Sequence, residues 1–465
     1  MLRWLAASRA SAITRTVIKV DLPVREGEGA NASARRGHLT RNLSVPGPPV
    51  LSGSAALRRV SASAPIASAA PATFCGGRNV IAPPSWWDSL IIHDAHDRAL
   101  SDAAFSFGYD IEVMKAALER IVTEAGVRVR LHARDVDSIV RDGQLVAVVT
   151  EANFRREAWT AAQFVYATGD GDVPARAGCE FEIGEPDTGR RTQPMSLMAL
   201  LTGIRLADVS EFVAGCRRTR YSEHPKQRLR DLLAVAGASP SYQGATLWAI
   251  HDHLFALMAN HEYGNSALDA DDLPRATLNA RGELNEMVAA IRRIGGVWQG
   301  VRLVATAEQI GVREARRVRG TYRITVDDLR SGARYPDAVC RVTARADVHA
   351  LEASERGYLS TSTVALQDRP AAAANVAPVA PYDVPLRALI ARDVEGLLLA
   401  GRCISGDFLA HSSYRVTGNA VAMGEAAGVA AALAAATGQR AQDLEWDEIE
   451  RRLAQLRRGL PAVAS

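Results

Sequence analysis

Two stretches of this chain join short runs of bare aliphatic side chains to glycine turns, a pattern that lets backbone lie close to a flat ligand. Glu395-Gly-Leu-Leu-Leu-Ala-Gly-Arg-Cys-Ile-Ser405 reads as an apolar strand ending at Gly401 and Arg402. Tyr414-Arg-Val-Thr-Gly-Asn419 then opens a helix of small residues. Thr417, Gly418 and Asn419 at that start offer backbone N–H groups and the positive end of a helix dipole, which suit the electron-rich edge of a ring. Arg415 adds a cation at the same end. Phe164-Val-Tyr-Ala-Thr-Gly-Asp-Gly-Asp172 is the second strand and turn. There Gly169 and Gly171 permit unusual backbone, and Asp170 or Asp172 can accept a hydrogen bond from a sugar or polyol hydroxyl.

Other side chains could act on a substrate. A guanidinium can grip a carboxylate with two hydrogen bonds or stabilise charge on a reduced ring, and Arg313, Arg316 and Arg317 in Ile310-Gly-Val-Arg-Glu-Ala-Arg-Arg317 are candidates for that. The competing reading is an arginine-rich edge paired with Glu308 and Glu314. His349 and His411 are the candidate proton carriers near neutral pH, and Asp383 and Arg387 complete the substrate-side set. His251-Asp-His253 with His261-Glu262 lacks both a helix-spaced His-Glu-x-x-His and a third ligand, so no metal site is expected there, and a hydrogen-bonded surface or core role is.

The same turns, with Tyr109-Asp-Ile-Glu-Val-Met-Lys-Ala-Ala-Leu118, Thr192-Gln-Pro-Met-Ser-Leu-Met198, the run from Gln309 to Tyr322, and Tyr382-Asp-Val-Pro-Leu-Arg387, carry a resemblance. Over residues 107–438 the chain resembles the bacterial FAD-dependent oxidoreductase family, whose distant relatives include the flavin-carrying component of heterodisulfide reductase. The resemblance implies an α/β fold: a Rossmann-like, glutathione-reductase-type FAD-binding domain built from discontinuous segments, with an inserted α+β substrate domain. It implies FAD as cofactor and hydride transfer between the flavin and a small organic substrate, without specifying the substrate or redox partner. Relatives can carry an iron–sulphur cluster, which needs grouped thiolates. The five cysteines, Cys75, Cys179, Cys216, Cys340 and Cys403, are scattered with no Cys-x-x-Cys pair.

These residues need elements to position them. A chain of 465 residues, 48% hydrophobic, can bury a large core and is expected to form two interleaved domains. Its formal net charge of +3 gives no general attraction to nucleic acid or acidic membrane. No run approaches the roughly 18 consecutive apolar residues of a membrane span. The odd, scattered cysteines point to a reducing cytoplasm. Apolar spacing predicts a helix over Asp110–Ala125 with Gly126 as its stop, then strands over Val127–His132, Asp137–Val140 and Leu145–Thr150 around an Asp142-Gly143 turn. Helices are expected at Ser222–Ala238, Arg281–Ile294 and Asp443–Leu460. The implied domains are a first FAD-binding part at 85–184, a substrate domain at 185–375, a second FAD-binding part at 376–440 and a terminal helix at 441–465.

Residues 1–84 break the pattern. Met1–Arg15 is rich in Arg and Ser, as a transit peptide is, and from Gly29 to Trp87 there is no Asp or Glu. A family member should open with a strand, a Gly-x-Gly-x-x-Gly turn and a ribose-binding acid. Here only Gly27-Glu-Gly-Ala-Asn-Ala32 approximates the turn, Glu28 would set a carboxylate beside the pyrophosphate, and the acid is missing. The expectation is a disordered or mis-framed segment before about Ser85. Two alternatives follow: a truncated or frame-disrupted non-enzymatic relative without a competent FAD site, and a flavin electron-transfer subunit of an iron–sulphur complex.

Overall fold

A computed structural model describes residues 110–214, 224–344, 346–352 and 380–458. The expectations for residues 1–84, the Gly27 turn included, lie outside the described residues.

The first helix, α1 (Ile111–Glu124), begins where Asp110 accepts hydrogen bonds from the N–H groups of Glu112 and Val113, and Gly126 follows its end at φ +72°. Val127–His132 is irregular rather than a strand. Strands β1 (Arg134–Arg141), β2 (Gln144–Ala152) and β3 (Arg155–Thr160) make a three-stranded antiparallel sheet. Its first hairpin turns at Asp142 and Gly143, both at positive φ, as a two-residue turn matched to strand twist requires.

Strand β4 (Phe164–Tyr166) is the element on which the site depends. It pairs in parallel with β13 (Leu397–Leu399), Phe164 opposite Leu397 and Tyr166 opposite Leu399. Between them run helix α2 (Asp172–Arg176), β5 (Phe181–Glu182), the antiparallel sheet in the order β7 (Thr246–His251), β8 (Leu254–Met258), β6 (Ala199–Thr202), β9 (Arg302–Thr306), and β10 (Arg317–Val318), β11 (Ala338–Val342) and β12 (Tyr382–Pro385). Helices α3 (Leu206–Val209), α4 (His224–Val235), α5 (Asp272–Ile294) and α6 (Val326–Ser331) lie in the same stretch, and α7 (Phe408–Tyr414), α8 (Thr417–Thr437) and α9 (Trp446–Arg458) close the chain.

Two large apolar cores result. The first gathers β4, β13, β11 and β12 under α8, whose Ala422, Ala426, Ala430 and Ala434 repeat every fourth residue and, with Met423 and Ala427, present one small-residue stripe to Leu397, Leu398 and Leu399. Small side chains let this helix lie close to the strands. By length and composition α8 could cross a membrane, and its stripe is packed in this core. The second core joins the four-stranded sheet to α5 through Ala276, Ala280, Leu284, Met287, Val288 and Ile291, to α4 through Leu229 and Leu233, and to Ile111 of α1. Residues 309–322 cross from one to the other: Ile310 is buried in the second core and Val318 in the first.

Candidate functional site

The parallel pairing of β4 with β13 brings the two glycine turns side by side. Arg402 donates to Asp170 at 2.5 Å although the two are 232 residues apart in sequence. Gly169 sits at φ +89°, a conformation that favours glycine, and a Cβ there would also displace the Arg402 guanidinium, which would lie 2.5 Å from it. Gly171 (φ +75°) is closed in the same way by Arg316, whose guanidinium donates to the Asp170 carbonyl at 3.2 Å and to the Asp172 carboxylate at 2.7 Å. The Asp172 N–H donates to Tyr166 Oη at 2.8 Å. Opposite, Gly401 (φ +83°) has only the Ala420 methyl near the place a Cβ would take, at 3.8 Å. Helix α8 starts at Thr417, and Val416 before it provides no side-chain cap, so Gly418 and Asn419 head an N-terminus without a side-chain cap beside Gly401. Gly169, Asp170, Gly171, Asp172, Gly401, Arg402, Thr417, Gly418 and Asn419 therefore share one end of the first core.

Arg415 and Arg313 belong to a second cluster, at the junction of the cores. Arg415 donates to the Arg313 carbonyl (3.1 Å), to Gln193 Oε1 (3.0 Å) and to the Asp347 carbonyl (2.8 Å). Arg313 donates to Ser196 Oγ at 2.7 Å and to the Pro194 carbonyl at 2.5 Å, and burial with Arg415 nearby pushes it down to about 10. The expected pairing of the arginine run with Glu314 holds for Arg317 alone. Both members of that pair are buried, and Arg317 also donates to the Gly406 (3.1 Å) and Gly184 (2.9 Å) carbonyls. Burial raises Glu314 and Arg317 opposes the shift.

His349 packs its ring edge against His261 with centroids 4.8 Å apart, and His261 stacks on Tyr242 at 4.1 Å. Burial and the Arg313 charge hold His349 down to about 4, although Asp347 lies 3.5 Å from its Nε2. His261 is held well below 6.5 by burial, Arg313, His349 and Arg415. His411 is fully buried in α7 and is pushed down by burial and by Arg317, Arg415 and Arg402. All three imidazoles are therefore neutral at pH 7.

Asp383 and Arg387 lie elsewhere. Asp383 accepts from Arg334 and Arg341, and Arg387 pairs with Asp337 over the rings of Tyr322 and Tyr335. His251 pairs with Asp110 at 2.6 Å, apart from His261. Among the described residues no three His, Cys, Asp or Glu side chains gather as metal ligands, and Cys179 and Cys403 are buried thiols. A depression of about 410 Å³ lined by Thr202, His251, Asp252, His253 and Leu254 includes no residue of either cluster.

A family profile described as FAD dependent oxidoreductase matches residues 87–453. The chain belongs to that family. Among curated proteins none matches this family member. Solved structures that do match are distant. The flavin-dependent brominase Bmp2, as a triple mutant, has 12% identity over 76% of this chain and 62% of its own, at a TM-score of 0.32. A geranylgeranyl bacteriochlorophyll reductase-like protein from Thermoplasma acidophilum has 10% identity, 76% and 61% coverage and a TM-score of 0.35. The myxobacterial chondrochloren halogenase CndH has 11% identity, 78% and 59% coverage and a TM-score of 0.33. The chain spans about three fifths of the length of these structures.

The residues of this FAD dependent oxidoreductase family member fit the ring end of the cofactor: an uncapped helix start, Gly401 open beside it and Gly418 buried at it. The sequence reading gave no role to Tyr242 or Gln193, although Gln193 lies in the Thr192–Met198 stretch that carries the resemblance, and it gave His261 a hydrogen-bonded surface or core role.

Proposed function

We propose that this chain binds FAD with the isoalloxazine against Gly401 and the start of α8, and that it exchanges hydride with a small organic substrate held at the core junction. The fold we assign to that task is a discontinuous, Rossmann-like domain of the glutathione-reductase type around the first core, with the second core as an inserted substrate domain. One observation carries the reading: β4 and β13 pair in parallel and bring Asp170 to Arg402 beside an uncapped helix. Bound FAD supplies the two-electron chemistry. The chain positions it, with the α8 N-terminus favouring negative charge at the ring edge and Gly418 allowing close backbone approach. At the junction, Arg313 and Arg415 supply positive potential and neutral imidazoles exchange hydrogen bonds with substrate.

A second reading, a relative that no longer loads the cofactor, draws on Arg402 lying across Gly169 with its charge matched by Asp170. Titration of the full chain with FAD, followed by quenching of flavin fluorescence, separates the two. Saturable binding that Gly418→Val weakens by at least about tenfold supports the flavin site. No binding to the parent chain rejects it.

A further inference from the structure

Two buried side chains at the junction each miss a partner, and their deficits are complementary. His261 Nε2 and Gln193 Nε2 are enclosed and make no hydrogen bond, in residues 3% and 1% exposed. Neighbouring bonds define what each atom offers. Tyr263 Oη donates to the Ser241 carbonyl at 3.2 Å, and with its proton so used we assign it as acceptor from His261 Nδ1 at 3.3 Å, which places the imidazole proton on Nδ1. His261 Nε2 is then a bare acceptor. Gln193 Oε1 accepts from Arg415 at 3.0 Å and from the His349 N–H at 3.1 Å, which fixes the other end of the amide as an unused donor. Both residues adjoin His349. A buried group left unsatisfied costs about 1–3 kcal/mol, so protein interiors rarely keep a donor and an acceptor unpaired within one cluster.

We propose that Gln193 and His261 form the recognition subsite for a small hydroxy acid, whose carboxylate accepts from Gln193 Nε2 and whose hydroxyl donates to His261 Nε2. This rests on the junction being the substrate side of the flavin site. Charge selects within the class. Arg313 and Arg415 bring two guanidinium charges to the cluster, against the Asp347 carboxylate 3.5 Å from His349 Nε2, and that balance attracts a carboxylate and disfavours an ammonium. An amino acid offers His261 a donor too, but brings the wrong charge. A plain carboxylic acid leaves Nε2 bare.

Calorimetric titration of the full chain, with and without FAD, against glycolate, acetate and glycine tests this. Glycolate should bind at least about tenfold more tightly than either competitor, the value of one buried hydrogen bond. His261→Phe keeps a ring on Tyr242 and should erase the glycolate preference while leaving acetate unchanged. Gln193→Leu should weaken both acids together. In the parent chain labelled with 15N-histidine, glycolate and not acetate should move the Nε2 resonance of one neutral histidine, a readout independent of how the variants fold. Equal binding of glycolate and acetate, no binding at high millimolar concentration, or a surviving preference in folded His261→Phe overturns the subsite. Glycolate preference without FAD uptake would sink the flavin reading alone, and FAD uptake without the preference would sink the subsite alone.

Discussion

His349 and Glu262 are both buried and respond to pH in opposite senses. His349 falls from 6.5 to about 4 on folding, so between those values the unfolded chain binds more protons, and stability is lost as pH drops through the window. Glu262 rises from 4.5 to about 7 through burial and the neighbouring Glu283, so its contribution is complete below 4.5 and is lost as pH climbs toward 7. Each span corresponds to about 3 kcal/mol. Urea melts from acid to neutral pH should show His349→Leu resisting acid better than the parent and Glu262→Gln gaining stability near neutrality; parallel profiles for parent and variants would contradict both. The Glu314–Arg317 pair makes a different demand, because Arg317→Met strands a buried carboxylate. That change should cost about 3–5 kcal/mol, with part recovered in the Glu314→Gln, Arg317→Met double variant, as chemical denaturation would measure. At this scale the sequence revealed the glycines of both turns because two strand-then-glycine segments occur together, where either alone is more often structural. It could not reveal the direction of Arg415 or the grouping of Gln193, Tyr242 and His261, because those contacts join residues far apart in the chain and leave no local spacing.

Elements were more legible than contacts. The helix over Asp110–Ala125 follows from apolar spacing and is observed at Ile111–Glu124, and Asp142-Gly143 turns the first hairpin. Val127–His132 alternates as a strand would, yet only Arg128 in it makes a β-bridge and no continuous strand forms. Helix α5 starts at Asp272 rather than Arg281 because Pro274, which stops a helix interior, is tolerated in a first turn. Glycines at element ends differ in what they protect. A Cβ at Gly203 would lie 1.8 Å from the Gly300 carbonyl oxygen, whereas at Gly126 it would meet nothing within 4 Å. Gly203→Ala should therefore cost about 3 kcal/mol or more by forcing the backbones beyond β6 and before β9 apart, and Gly126→Ala only about 1–2 kcal/mol for its positive φ. Thermal melts of the pair test this; equal losses would show that the close approach is slack.

On the scale of the molecule, the two cores should respond differently to cofactor. FAD at roughly a hundredfold excess over Kd should stabilise the folded chain by about 2.7 kcal/mol. Hydrogen exchange should slow in β4, β13 and the start of α8 while α5 is little changed, and uniform protection across both cores would argue against a ring seated at Gly401. The overall family was legible because its turns are local, whereas the division into cores was only partly so, since residues 309–322 belong to both. The parallel pairing of β4 with β13 also has a temporal consequence. Every strand of the second-core sheet lies between these two in sequence, so on a ribosome that sheet can close while β4 still waits for its partner. Until Leu397–Leu399 emerges, Phe164–Tyr166 lacks its one strand partner among the described residues, and the nascent chain exposes an apolar edge during the interval in which one half is already folded.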